Sequence, residues 1–438
     1  MPSLADFFPL PPIARRIGEV MRHAQRPANA TEALALSALS VRSGLFFAES
    51  LPLFLIAAPF SGASSGASSG ASSGASSGAS FDAKRRSERA PDEAEPKSRF
   101  GSGRAERGGP PQEALEVTFS RLFELLKRDA ALIGQGDAPL SVLTPQDPLG
   151  HGMRLLRILA DGTAVGKRRR THSAREFTKD ARRWLDELPA YYRRNFHYQT
   201  DGYLSAHSAA LYEHQVELLF RGGADPMRRM IIPPLRAHLQ RAGASNDGAG
   251  LHFLELGSGT GSATRSVARC FPKAKITCVD LSPPYTRHAR QQLDEFPRVN
   301  CIQGDAAELD FADQRFDAVY SVFLFHELPL PVREAVLAET MRVLRPGGFF
   351  GLVDSLQRGD DDELDWALEF FPREFHEPYY ANYAANPMSG LLSQAGFEGL
   401  EAGTGYLAKW VAAVAPTESE DSVDTATQPK LSRPCSQG

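Results

Sequence analysis

The order of elements along the chain predicts an α/β protein built on a doubly wound, mostly parallel sheet. Two observations carry this expectation. Between residues 251 and 353, short apolar runs alternate with stretches of helical periodicity, which is the pattern of strands joined by crossover helices. The first run, 251–256, carries a carboxylate at Glu255 and breaks into Gly257-Ser-Gly-Thr-Gly261 before a helical pattern opens at Ser262. Glycine suits such a turn because the backbone must take conformations that a Cβ forbids, and because a ligand can then lie against bare main chain facing helix-start N–H groups. In a doubly wound sheet, ligands sit beyond the carboxyl ends of the strands.

Length and charge set the outer limits. The chain has 438 residues, 42% of them hydrophobic and 23% charged, with a net charge of −4. That leaves room for two domains or one domain with long appendages. It gives no global pull toward nucleic acid or an anionic membrane. The basic cluster Lys167-Arg-Arg-Arg170 reads as a solvated loop. Cys270, Cys278, Cys301 and Cys435 form no C-x-x-C pair and have no histidine at ligand spacing, so neither a metal site nor a disulfide framework is expected. Cys278 and Cys301 lie in apolar runs and read as buried small hydrophobes of a reducing compartment.

In chain order, residues 1–60 form an extension mixing prolines, arginines and apolar clusters. Its apolar run 51–60 contains Pro52 and Pro59 and is about half the roughly twenty residues a membrane span requires. A cytoplasmic location is expected. A plastid or other organelle is the alternative, because Arg15, Arg16, Arg22, Arg26 and Arg42 occur without lysine, although Asp6, Glu19, Glu32 and Glu49 are more acid than transit peptides favour. From Ser61 to Ser80 the tetrad Ser-Gly-Ala-Ser repeats five times. With the charged stretch up to residue 111 it reads as a disordered linker.

A helical cap is expected over residues 112–228. Leu115, Phe119, Leu122, Phe123, Leu125 and Leu126 recur at helical spacing, a second such pattern surrounds residues 153–159, and a third carries Leu211, Tyr212, Val216, Leu218, Leu219 and Phe220. Between them lies Tyr191-Tyr-Arg-Arg-Asn-Phe-His-Tyr-Gln-Thr-Asp-Gly-Tyr203, whose tyrosines, histidine and amide are costly to bury without partners. Such a stretch suits a pocket wall. A sheet domain is expected over 229–416 and a disordered tail over 417–438. After the glycine turn come a helix at 262–270, a strand at 274–282, a helix at 283–296 and a strand at 299–305. A fourth strand is expected at 316–325, then a helix at 332–344 and a fifth strand at 349–353.

The spacing of the turn narrows the ligand. A dinucleotide-binding turn reads G-x-G-x-x-G, whereas Gly257, Gly259 and Gly261 alternate and Ser262 stands in the third position. Four motifs then agree in order: Glu255-Leu-Gly-Ser-Gly-Thr-Gly261, Val279-Asp-Leu-Ser282, Gln303-Gly-Asp-Ala306, and Phe316-Asp-Ala-Val with Leu344-Arg-Pro-Gly-Gly348. Together they resemble the class I S-adenosylmethionine-dependent methyltransferases over residues 229–416. The segments Phe196-His-Tyr-Gln-Thr-Asp-Gly-Tyr203, Tyr212-Glu-His-Gln-Val-Glu217 and Phe375-His-Glu-Pro-Tyr-Tyr380 more narrowly resemble methyltransferases of cyanobacteria and photosynthetic eukaryotes.

The resemblance implies a seven-stranded Rossmann-like methyltransferase sheet with S-adenosyl-L-methionine as cofactor. It implies that Gly257, Ser258, Gly259 and Gly261 hold the methionine end, that Glu255 approaches its amino group, and that Asp280, with Leu281, takes the ribose. Asp305 and Ala306 would reach the adenine, and Ser321 joins the cofactor set. For the acceptor, His326 at the tip of the fourth strand is the first choice of general base, since an imidazole titrates near neutrality. His197, Tyr198, Tyr203, Phe325, Tyr379 and Tyr380 are expected to line a mostly apolar pocket for a small organic molecule, methylated on oxygen or carbon. The partner is thus a small molecule, with no nucleic acid and no transmembrane segment.

Three rivals use the same sheet. An aminopropyl transferase needs an acidic pocket, but Asp360-Asp-Asp-Glu363 reads as a solvated loop. A nucleic-acid methyltransferase would want a basic aromatic face or an N-P-P-Y-like motif where this chain has Ser321-Val-Phe-Leu-Phe-His326. A catalytically silent S-adenosylmethionine-binding module would keep Asp280 and lose the acceptor pocket.

Overall fold

The computed structural model describes residues 26–57, 112–145 and 147–417. The tetrad repeat and the charged stretch behind it lie outside these residues, as do the first 25 positions and the tail from 418.

Seven strands form one sheet: β1 (His252–Leu256), β2 (Lys275–Asp280), β3 (Val299–Gln303), β4 (Phe316–Val322), β5 (Leu344–Ser355), β6 (Glu398–Gly405) and β7 (Ala408–Val414), in the order β3-β2-β1-β4-β5-β7-β6. The first five are parallel, and β7 runs antiparallel to both β5 and β6. The sheet is therefore mixed. β6 and β7 did not stand out in the sequence because a glycine-rich, half-exposed strand and an alanine-rich one carry little alternating pattern. β4 stops at Val322, three residues short of the expected end, where Phe323 turns to φ +57° and a 3₁₀ turn follows at Phe325–Glu327.

Alternation along the strands builds two cores. Phe253, Ile276, Ala318, Tyr320 and Val353 pack on one side with Val267, Phe271, Met227 and Leu235. Leu254, Leu256, Val319, Phe350 and Leu352 pack on the other with Leu337, Val343, Tyr383 and Leu392. A period of two sends neighbours to opposite faces, so a strand covered by helices on both sides must be apolar throughout.

Helices α1 (Ala30–Ala57), α2 (Gln112–Gly134), α3 (His151–Thr171), α4 (Ala206–Leu219), α5 (Ala224–Arg229) and α6 (Ile232–Arg241) precede the sheet. The long α1 was not legible as an element. Its Ala35 and Leu39 join the first core beside Leu122 and Leu126, and its Phe46 packs with Ile158, Leu211 and Leu218. No helix among the described residues is long and apolar enough to cross a membrane. Lys167-Arg-Arg-Arg170 is the last turn of α3 rather than a loop, and Arg168 is buried, donating through Nε to Tyr198 O at 2.8 Å. Asp129 of α2 and Arg229 of α5 form a buried bidentate pair at 2.7 and 2.6 Å. Removing one partner of such a pair costs about 3–5 kcal/mol because the other charge stays buried.

Further helices are α7 (Ser262–Cys270), α8 (Pro283–Gln292), α9 (Leu330–Val343), α10 (Asp365–Glu374), α11 (Tyr380–Ala385) and α12 (Met388–Gln394). Strand order reverses between β1 and β4. This switch point opens a crevice at the carboxyl ends of the strands.

Candidate functional site

The glycine turn occupies one flank of that crevice. Gly257 and Ser258 donate their N–H groups to Val279 O at 2.8 and 3.1 Å, pinning the turn to the end of β2. Gly257, Gly259 and Gly261 take φ of +67°, +55° and +87°, values at which a side chain would be strained. A Cβ on Gly261 would meet Leu293 at 2.7 Å and one on Gly257 would meet Leu324 at 2.8 Å, whereas Gly259 faces open space. The middle glycine therefore leaves bare backbone exposed to a ligand.

Asp280 closes the turn from the side. Its carboxylate accepts from Gly259 N and from Ser282 N, both at 2.8 Å. Burial pushes its pKa up to about 6, against the pull of those two donors. Leu281 is half-buried behind it, and Asp305 and Ala306 lie half-buried past the end of β3. Glu255 faces the α7 side of β1, buried, with Oε2 accepting from Tyr320 Oη at 3.0 Å and from Thr264. Burial pushes its pKa up to about 7 despite those hydroxyls. Ser321 is fully buried and donates to Leu256 O at 3.1 Å, so it serves the β1–β4 seam.

The stretch 191–203 meets this flank directly. Ser282 Oγ donates to Tyr203 O at 2.5 Å, and Thr260 of the turn donates to Glu213 of α4. Phe196 and Tyr203 stack at 5.2 Å, and Tyr192, Tyr212 and Tyr285 surround Tyr203 at 5.4–5.9 Å. Tyr191 lies within electrostatic reach of Asp305 and Asp280, although burial is the main reason its hydroxyl resists ionisation. An aromatic wall thus stands over the carboxylates of β2 and β3.

The other flank is the tip of β4. His326 Nδ1 lies 2.5 Å from Asp354 Oδ1, and Asp354 Oδ2 accepts from Phe325 N at 2.7 Å. Burial alone would lower the His326 pKa, but the Asp354 carboxylate lifts it to about 9. Glu327, next in the chain, accepts from Tyr203 Oη at 2.5 Å. His197, at φ +55°, sits between Glu327 Oε1 (3.3 Å) and Glu377 Oε1 (2.6 Å). Burial opposes protonation of His197, yet the two carboxylates raise its pKa to about 10. Tyr203 thereby links both flanks, through its carbonyl to Ser282 and through its hydroxyl to Glu327.

Not every expected wall residue faces a ligand. Phe325 is 0% exposed and packs into the second core beside Phe350, so it offers no surface to an acceptor. The backbone causes this, because the turn at Phe323 and Leu324 sends position 325 inward and 326 across to Asp354. Tyr198 is also buried and turned aside, with its hydroxyl 3.3 Å from His172 Nδ1. His197, Tyr203, Tyr379 and Tyr380 do gather around the β4 tip. Buried Arg333 of α9 ties Tyr379 there by donating to Phe325 O, Tyr379 O and Asn382 Oδ1, and Tyr380 Oη lies 2.6 Å from Ser355 Oγ. Beside His326 lies a small cleft of about 50 Å³, walled chiefly by Phe220, Phe323, Leu368, Phe371 and Tyr380.

Reading the sequence missed Asp354, Glu327, Glu377 and Tyr285. Asp354 carried a usable signal, being a carboxylate at a strand end like Glu255 and Asp280. The acidic run 360–363 is engaged rather than free: Asp361 and Glu363 pair with Arg121 at 2.8 and 2.9 Å, and Asp360 with Lys409 at 2.7 Å.

Comparison with known proteins agrees with this geometry. Residues 253–348 match a family model described as a methyltransferase domain. A fatty-acid O-methyltransferase of Mycolicibacterium smegmatis is 36% identical over 129 residues, covering 30% of this chain and 46% of that protein. A sterol 24-C-methyltransferase of Yarrowia lipolytica is 33% identical over 117 residues, covering 26% of this chain and 30% of that protein. The chain thus spans less than half of either relative. A solved Haemonchus contortus phosphoethanolamine N-methyltransferase 2, in complex with S-adenosyl-L-methionine, is 17% identical over 41% of this chain and 52% of that one, with a TM-score of 0.33. Residues 253–348 are thus similar to a methyltransferase domain, and the bare backbone at Gly259 beside the Asp280 carboxylate fits an adenosyl amino acid.

Proposed function

We propose that the chain is an S-adenosylmethionine-dependent methyltransferase acting on a small, apolar or aromatic acceptor through an oxygen or an activated carbon. The observation that carries this reading is the pairing of two flanks across one strand switch point: the glycine turn with Asp280, and His326 with Asp354. The fatty acid and the sterol named for the two relatives are apolar, which supports an acceptor of that class. Engagement of Asp360, Asp361 and Glu363 by Arg121 and Lys409 argues against a polyamine acceptor.

Bound S-adenosylmethionine supplies an electrophilic methyl group on a sulfonium. The protein aligns the acceptor with it and surrounds the changing charges. Gly257, Ser258, Gly259 and Gly261 would hold the methionine end and Asp280 the ribose hydroxyls, with Asp305 and Ala306 toward the adenine. Tyr191, Tyr192 and Tyr203 would exclude water from that side. His326 in its neutral form, favoured as pH rises toward its raised pKa of about 9, would take the acceptor proton on Nε2, because Asp354 fixes the ring through Nδ1 and leaves the other nitrogen toward the cleft.

Calorimetric titration with S-adenosylmethionine, S-adenosylhomocysteine and NAD tests the cofactor half, with saturable binding of the first two and none of NAD expected. Binding of NAD alone would sink the reading. Turnover of S-adenosylmethionine with fatty-acid, sterol and phenolic pools then separates an enzyme from a silent binding module.

A further inference from the structure

Where β4 ends, Glu327 and Glu377 bring two carboxylates together inside the protein, 9% and 4% exposed. With one nitrogen of His197 they form a trio whose ligand atoms all lie within 4.8 Å of one another. Three segments far apart in sequence supply it. Among the described residues, Glu327 Oε2 and Glu377 Oε2 have no hydrogen-bond partner. A buried carboxylate oxygen without a donor costs free energy that an ordinary ion pair would have removed. After burial, His197 and His326 are charged groups acting strongly on both carboxylates, with Glu327 acting on Glu377 as well, and no lysine or arginine is among these main influences.

We infer that His197, Glu327 and Glu377 form a binding site for a divalent transition-metal ion of the manganese or zinc type. Atoms bound to one such ion at about 2.1 Å lie within about 4.2 Å of one another, close to the spacing that the trio already has. One imidazole and two carboxylates suit manganese or zinc better than magnesium, which prefers oxygen and water. Two carboxylates also balance the charge of the ion when the imidazole binds as a neutral ligand. Among the described residues a second trio of this kind, Glu49, His151 and His214, spends both carboxylate oxygens on its imidazoles, at 2.6 and 3.2 Å, and leaves neither orphaned.

Three protein ligands leave coordination positions open. An acceptor oxygen entering beside His326 would occupy one of them and lose its proton more readily. That role rests on the methyltransferase reading, whereas ion binding itself does not.

The test uses the full chain, stripped with chelator and dialysed. It is titrated with MnCl2 alone and followed by the loss of the free-ion paramagnetic resonance signal, then competed with ZnCl2. One ion per chain is expected. Glu377→Gln and Glu327→Gln, which keep side-chain volume, should each weaken Mn2+ binding at least tenfold while S-adenosylhomocysteine still binds by calorimetry. The site is overturned if chain that binds S-adenosylhomocysteine takes up neither ion, or if both variants hold Mn2+ as tightly as the parent; the trio is then a self-contained ion-pair cluster. Uptake of Mn2+ by chain that ignores S-adenosylhomocysteine would leave the metal site standing and remove the methyltransferase reading instead.

Discussion

The two flanks of the crevice are built by different means. On the glycine side, main chain does most of the work: N–H groups, positive φ angles and one carboxylate, all within residues 255–282. On the β4 side, side chains do it, and they arrive from residues 197, 203, 326, 327, 354 and 377. A backbone-built site tolerates few substitutions but needs only local sequence. A site of converging side chains depends on the whole fold to bring its members within hydrogen-bonding distance.

If the division holds, damage to one flank leaves the other intact. The largest effect is expected from His326→Ala, which should lower turnover by about 10²–10⁴ with S-adenosylhomocysteine affinity nearly unchanged. Steady-state kinetics with calorimetry checks this, and an equal loss of cofactor binding would show that the flanks are one structural unit. Asp280→Ala should weaken cofactor binding by about 1.5–3 kcal/mol, the worth of a charge-assisted pair, without disturbing the β4 tip.

Within the turn the comparison sharpens. Gly261→Ala combines φ +87° with a clash against Leu293 at 2.7 Å, whereas Gly259→Ala meets φ +55° and no atom within 4 Å. Strain of the left-handed backbone alone is about 1–2 kcal/mol, so thermal denaturation should show Gly261→Ala to be the less stable variant. Gly259→Ala should show its defect mainly in cofactor affinity. Matching defects in both assays would mean that the middle glycine is not the one facing the ligand.

The smallest effect is expected from pH. Asp280 has a pKa raised by burial to about 6, and only its ionised form accepts strongly from two hydroxyls. Cofactor affinity should be constant above pH 6 and fall as pH drops through it, by at most about tenfold per unit. Calorimetry from pH 5 to 8 measures this, and Asp280→Asn should abolish the slope. A slope that survives the substitution would assign it to another group, Glu255 being the first candidate with a pKa of about 7.

Much of the sheet could be read in advance because most of its first five strands hold a short apolar run with a turn behind it. Asp280 and the alternating glycines were legible for the same reason, since the chemistry and the residues that supply it share one short stretch. Legibility failed where identity and orientation part company. Phe325 looks like a wall residue until the turn at Phe323 buries it, and Tyr198 looks like its neighbour His197 until its hydroxyl is found at His172. The long helix α1 escaped because its apolar residues lack a clear stripe.

By itself, then, the sequence determined the parallel half of the sheet, the glycine turn and the carboxylate beside it, because these depend on interactions within a few tens of residues. Only the tertiary structure decided that His326 is held by Asp354, that Tyr203 bridges both flanks, and that Glu327, Glu377 and His197 share one buried spot. Nothing in the spacing of residues 197, 327 and 377 encodes their meeting. Packing on the sheet closes those distances, and burial then makes each unmatched charge count.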